Sequence, residues 1–256
     1  MSNIKSSHKI LLSQCGDKIA YNYHEGRSPG IVFLSGLMSD MNGSKALALE
    51  EHCRKKERAF LRFDYTGHGQ SSGDFEKGTI TKWCSDAIFA IEKLTRGSQI
   101  LIGSSMGGWI MFLVALHLKT KVAGLIGVAA APDFTEDIIK HELNDKQRHT
   151  LKKSGSVEIP CDYDEQPFKI TQNLIDDGYN NLMLNKAIPL KVPVRLIQGM
   201  RDSDVPWTTA LRIQEKLDSN DVELTLVKGG DHRLSEPYNL KLLTGTLETL
   251  INKLKK

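Results

Sequence analysis

The chain has little cysteine: four residues in 256, Cys15, Cys53, Cys84 and Cys161, scattered with no CxxC or metal-ligand spacing. That excludes a disulfide framework or a cysteine zinc site as the basis of the fold, and the four thiols read as reduced packing residues. No apolar run approaches the roughly 20 residues a bilayer span needs, and the first 16 residues lack the apolar middle of a secretory signal. Charge of one sign is also missing. With 34 Lys and Arg against 31 Asp and Glu, the net +3 is spread along the sequence and implies no nucleic-acid face. Repeats and low-complexity linkers are absent. What is present, 40% hydrophobic and 25% charged residues, is the composition of a globular protein without stable membrane insertion.

Short β-rich runs alternate with helical patterns, the signature of a mostly parallel sheet covered on both faces. Residues 8–12 and 18–24 read as an antiparallel pair turning at Cys15-Gly16-Asp17, and 30–36, 59–67, 99–103, 121–132, 192–200 and 222–230 read as further strands. Helical periodicity marks 45–56, 80–94, a stretch opening near Ser105, 207–217 and 239–253, with Gly97 expected to stop the second in a left-handed conformation. The prediction is an α/β fold, an eight-stranded, mostly parallel sheet flanked by helices, in one domain over 1–256. Between 133 and 190 the rhythm breaks. Charged helical patterns near 134–152, then "GSVEIPCDYDEQP", then a helical stretch from 171 to 184 predict an inserted cap of helices with a loop or small hairpin. Its apolar Ile138, Ile139, Leu143, Ile170, Leu174 and Leu182 are expected to cover a pocket mouth.

One stretch stands out. "QILIGSSMGGWIMF", residues 99–112, begins as a buried strand and ends as a buried helix, with small residues packed around Ser105. A serine on so sharp a strand-to-helix turn is lifted clear at the carboxyl edge of the sheet, and Gly103 and Gly107 supply the room the turn needs. The free N–H groups at the helix start favour negative charge on a carbonyl oxygen under attack, which makes the Met106 N–H an oxyanion donor. A second donor is expected from the loop after 30–36, at Leu37, beside Gly36.

A serine hydroxyl needs a base. With a nucleophile presented this way, the chain order is serine, acid, histidine, which removes His8, His24, His52 and His68. His117 sits near the end of the nucleophile helix, and His141 and His149 fall on charged faces of the predicted cap. His232, in "KGGDHRLSEP" after the final strand, is left as the base. For the acid, Asp202 in "GMRDSDVPW" is favoured over Asp204, read as an N-cap-region residue ahead of Pro206, and over Asp133 in "AAAPDF". Asp231 is read as a loop charge. Met38 and Trp207 are expected to bind substrate beside Leu37 and Met106, with Trp109 as readily plain core. The glycines of "DYTGHGQSSG", residues 64–73, lack the lysine and spacing of a nucleotide loop and read as a tight turn bracing the nucleophile strand.

In this order, "SGLMSDMNGSKA", "RFDYTGHGQSSG", "GSSMGGW", "GMRDSDVPW" and "GGDHRLSE" resemble the α/β-hydrolase superfamily, and within it the abhydrolase-domain-containing protein ten group of serine esterases, over nearly the whole chain. The resemblance implies the α/β-hydrolase fold and the same Ser105, Asp202 and His232. It also implies substrates such as S-palmitoylated proteins and acyl-glucuronides; eukaryotic members of that group are mitochondrial. The chain shows no Arg-rich transit segment ahead of its first strand, so a cytoplasmic location is expected. The expected chemistry is cleavage of carboxylic ester or thioester bonds through an acyl-serine intermediate, on a small-molecule or acyl-protein substrate, without cofactor or metal. A catalytically silent binding protein on the same fold, or a serine peptidase or carbon-carbon hydrolase on the same triad, are the alternatives.

Overall fold

The computed structural model describes residues 8–13, 15–159 and 168–255. Cys161 lies outside them; Cys15, Cys53 and Cys84 are free thiols. The chain opens with β1 (Lys9–Leu12) and β2 (Lys18–His24), which pair antiparallel as their spacing predicts. Then come β3 (Arg27–Leu34), α1 (Ser44–Lys55), β4 (Arg58–Phe63), α2 (Ile80–Leu94), β5 (Gln99–Ser104), α3 (Met106–His117) and β6 (Val122–Val128). After the 133–190 segment the rhythm resumes. That segment holds α4 (Phe134–Asp137) running into a π-helical turn (Ile138–Glu142), α5 (Asp145–Ser154), the hairpin β7 (Ser156–Ile159) and β8 (Phe168–Thr171), and α6 (Gln172–Asn180). The chain ends with β9 (Val194–Gly199), α7 (Thr208–Lys216), β10 (Val222–Val227) and α8 (Pro237–Lys253).

Eight strands form one sheet in the order β1-β2-β4-β3-β5-β6-β9-β10, parallel from β4 onward. Side chains of β5 explain why it is buried on both faces. Ile100 and Ile102 point into one core with Leu49 of α1 and Leu243 and Leu247 of α8, while Leu101 points into the other with Trp83 and Ala87 of α2 and Ile110 and Val114 of α3. A period of two with apolar residues at every position needs a helical layer on each side. Because the strands run parallel, the loops after β3, β5, β9 and β10 gather at one edge, and that edge carries the site.

Boundaries depart from the sequence reading where local hydrogen bonds intervene. α2 keeps the expected span of 80–94, but its cap is Thr95, whose hydroxyl donates to the Ile91 carbonyl at 2.7 Å; Gly97 does adopt φ +67° but two residues beyond that cap. β6 ends at Val128, four residues short of the predicted end, because the Ala131 N–H turns back to the Ser105 carbonyl at 3.1 Å. α8 begins two residues early, with Pro237 in its first turn, where a missing N–H costs nothing. In the 133–190 segment four of the apolar residues expected at a pocket mouth face inward instead. Ile138, Leu143, Ile170 and Leu174 are buried in the same core as α2 and α3.

Candidate active site

Ser105 sits between β5 and α3 at φ +54° and ψ −124°, a positive-φ conformation that costs a residue with a side chain on the order of 1 kcal/mol or more and must be held by its surroundings. The holding is visible. Its N–H donates to Val128 O at 3.0 Å, and its carbonyl accepts from Gly108 N at 2.8 Å and Ala131 N at 3.1 Å. Two glycines are required beside it: a Cβ on Gly107 would collide with the Leu34 carbonyl, and one on Gly103 with the carbonyl of Gly107.

His232 Nε2 lies 3.0 Å from Ser105 Oγ, and its Nδ1 lies 2.9 Å from Asp202 Oδ2. The Asp202 side chain is fully buried and amply satisfied. Oδ2 also accepts from Gln198 Nε2 at 2.8 Å, and Oδ1 accepts from the N–H groups of Asp204 at 3.0 Å and Val205 at 2.8 Å. The loops bearing base and acid are tied together, Arg201 N donating to Gly230 O at 2.9 Å. So the structure brings together the three residues picked from the motifs, on loops that leave β5, β9 and β10 at one edge.

None of the other candidate acids faces His232 Nδ1. Asp133 is buried and accepts from Met183 N at 2.9 Å and Leu184 N at 2.8 Å, pinning the end of the 133–190 segment to the end of β6; burial holds its carboxyl above the usual range. Asp231 accepts from Leu234 N at 2.9 Å and closes its own loop. Asp204 corrects the capping expectation: α7 is preceded by Trp207 with no side-chain cap, and the Asp204 carboxylate instead stands 3.8 Å from His232 Nε2.

Met106 is the first residue of α3 and Leu37 follows Gly36 in the loop after β3. A cavity of about 430 Å³ opens onto Ser105 and His232, with Leu37, Met38 and Gly36 on its wall. Trp207 does not belong to that wall, and neither does any described residue of the 133–190 segment. Trp109 is core: it is fully buried, edge-on to Phe134 at 5.6 Å, and donates to Asn181 O at 3.2 Å. The sequence reading missed Lys45, Arg233 and Ser235, which line the cavity. Lys45 Nζ donates to the Arg233 carbonyl, and burial draws its pKa down to about 8. Its helical spacing gave only a surface position on α1; Arg233 had the one available signal, adjacency to His232.

Residues 64–73 also differ in role. The turn braces the loop after β3 more than it braces β5. Asp64 Oδ1 accepts from Met41 N at 2.6 Å, and the Met38 N–H donates to His68 Nε2 at 3.2 Å. Among the described residues no group of three or more His, Cys, Asp or Glu is placed to hold a metal, and no helix is long and apolar enough to cross a membrane.

Known proteins share this arrangement of chain. A family model described as serine aminopeptidase, S33, matches residues 29–157. A Bos taurus protein named palmitoyl-protein thioesterase ABHD10, mitochondrial, is 40% identical over 251 residues, covering 98% of this chain and 82% of its own; its Homo sapiens counterpart is 39% identical over 92% of this chain and 77% of its own. The solved structure of mouse alpha/beta hydrolase domain-containing protein 10 superposes with a TM-score of 0.91 at 37% identity, over 97% of this chain and all of the other. A putative hydrolase from Agrobacterium vitis S4 gives the same TM-score at 35% identity, over 96% and 98%. The names of the ABHD10 relatives, which place them in mitochondria, overturn the expected cytoplasmic location.

Proposed function

This chain belongs to the ABHD10 family of α/β hydrolases and is a hydrolase of the esterase and thioesterase class, and we propose that it cleaves its substrates with Ser105 as nucleophile, His232 as base and Asp202 as the acid that orients the base. The observation that carries this reading is the unbroken contact line Ser105 Oγ to His232 Nε2 at 3.0 Å and His232 Nδ1 to Asp202 Oδ2 at 2.9 Å, ending in a fully buried carboxylate.

Each step uses atoms at those positions. Ser105 Oγ attacks the carbonyl carbon while its proton passes to His232 Nε2, and the carbonyl π pair moves onto oxygen. The N–H groups of Met106 and Leu37 receive that oxyanion. The intermediate collapses, the bond to the alcohol or thiol breaks, and His232 returns its proton to the leaving group. Water then attacks the acyl-Ser105 ester, His232 takes its proton, and the acid leaves as Ser105 recovers a proton from His232. Asp202 holds the imidazole in the tautomer that can accept at Nε2.

Residues 133–190 are read as a cap on a single domain. For the substrate, the relatives' names favour S-acyl proteins, with small acyl esters as the accessible surrogates. The test is labelling by a fluorophosphonate followed by hydrolysis of an S-palmitoyl peptide, its oxygen ester and an aminoacyl anilide. Covalent labelling lost in Ser105→Ala, with thioester turnover above anilide turnover, is the expected result. Anilide cleavage alone would make the chain a peptidase, and an unlabelled protein would make it a binding protein.

A further inference from the structure

His68 was set aside as a base by its place in the chain, yet it is the most tightly held imidazole near the site. It is buried at 3% exposure, and three rings meet it edge-on: Tyr65 at 5.6 Å, Phe75 at 5.3 Å and Trp83 at 5.1 Å. Its Nδ1 faces the Thr66 carbonyl at 3.4 Å, an atom that can only accept, so the ring proton is assigned to Nδ1 and Nε2 is left with a lone pair. That lone pair takes the Met38 N–H at 3.2 Å. On the other side of Leu37, the hydroxyl of buried Tyr65 donates to the Ser35 carbonyl at 3.4 Å.

Between these two contacts the chain makes a turn, closed by Ser39 N donating to Gly36 O at 3.2 Å, with Met38 at φ +54°. A side-chain-bearing residue keeps that conformation only under outside constraint. We propose that His68 is a positioning residue for hydrolysis: by accepting the Met38 N–H it fixes the Leu37–Met38 peptide, while Tyr65 grips the Ser35–Gly36 peptide, so that the Gly36–Leu37 peptide between them keeps the Leu37 N–H aimed at the oxyanion. The inference rests on Leu37 being the oxyanion donor proposed above. His68 touches no reacting atom. Its effect falls on the transition state, where an ångström of drift in a donor matters most, and not on ground-state binding.

The experiment compares His68→Phe, which keeps an aromatic ring in the box but removes the acceptor, with His68→Gln, which restores an uncharged acceptor. Turnover of a 4-nitrophenyl octanoate is measured alongside inhibition by an octyl trifluoromethyl ketone, whose adduct with Ser105 carries the oxyanion. His68→Phe is expected to lose about 10- to 100-fold in kcat, with KM within about threefold, and to bind the ketone more weakly by a similar factor. His68→Gln is expected to regain part of both. A folded His68→Phe with kcat and ketone affinity within about threefold of the parent overturns the proposal. If His68→Phe does not fold, Tyr65→Phe decides: loss of ketone affinity at constant KM supports the clamp, and unchanged affinity overturns it. Leu37→Pro separates this inference from the reading beneath it. Proline suits the second position of a turn and deletes the N–H while keeping an apolar side chain on the cavity wall. Unchanged ketone affinity in Leu37→Pro removes Leu37 as donor and the inference with it; loss there without loss in His68→Phe removes the inference only.

Discussion

Oδ2 of Asp204 stands 3.8 Å from Nε2 of His232, the same nitrogen that faces Ser105, while the side chain remains 38% exposed. Asp204 therefore sits on the substrate side of the imidazole, opposite Asp202. With no helix cap depending on it, Asp204→Asn should move the unfolding free energy by no more than about 0.5 kcal/mol. Turnover should stay within about tenfold of the parent. A variant that unfolds early would restore a capping role, and a dead one would reverse the assignment of the acid.

Asp202→Asn should be far worse, in two ways. One amide face must meet both His232 Nδ1 and Gln198 Nε2 where two donors now converge on Oδ2. A donor facing a donor in a buried site costs about 1–3 kcal/mol, so the thermal midpoint should fall by several degrees. Loss of the tautomer-fixing carboxylate should reduce kcat by on the order of 10⁴-fold. Chemical denaturation and single-turnover kinetics read the two effects apart. Intact turnover would remove Asp202 from the mechanism.

Acid should destabilise the fold through His68. Burial lowers its pKa from 6.5 to about 4, so as pH falls the unfolded chain binds a proton before the folded chain does. The contribution is complete above pH 6.5 and is lost as pH falls through 4, amounting to about 3 kcal/mol over that window. The drop in midpoint between pH 7 and pH 5 should be smaller in His68→Gln than in the parent. Equal slopes would mean that the imidazole titrates as an exposed one.

Much of the fold was legible because its signals are local. β5 and α3 announce themselves by apolar runs, and the serine between them by glycines that only a close approach of backbones explains. The placing of Asp202 beside His232 was legible from its position after β9. What was hidden depends on partners distant in the chain. Nothing in the sequence says that Asp133 anchors Met183 and Leu184, fifty residues on, nor that Lys45 meets Arg233. Of the apolar residues of 133–190, Ile138, Ile139 and Leu174 fall on helical turns, whereas Ile170 falls on β8 and Leu143 and Leu182 between elements; periodicity cannot say whether such residues meet a pocket or the core, and Ile138, Leu143, Ile170 and Leu174 meet the core. Trp207 is absent from the wall of the cavity at Ser105 for a related reason: nearness to Asp202 in sequence does not fix the direction of a side chain.

Met38 tests the acyl side of the cavity. It is half exposed and lines the space in front of Ser105. Each buried methylene contributes about 0.8 kcal/mol, so kcat/KM should climb several-fold for each two-carbon extension of a 4-nitrophenyl ester until the wall is reached. Met38→Ala should flatten that climb while leaving acetate hydrolysis nearly unchanged. A series that falls beyond acetate would mean that the chain lies elsewhere than along Met38.

Gly103 and Gly107 let β5, α3 and the end of β3 approach until no methyl fits between them. A junction with no slack cannot drift. Random mutagenesis around Ser105 should therefore return almost nothing but silent changes and dead clones, whereas the side chains of the walls at Ser39 and Ser235 can be exchanged and that of Met38 changed within what its backbone allows. New specificities in this scaffold should arise by recarving the approach to the serine, never the seat on which it rests.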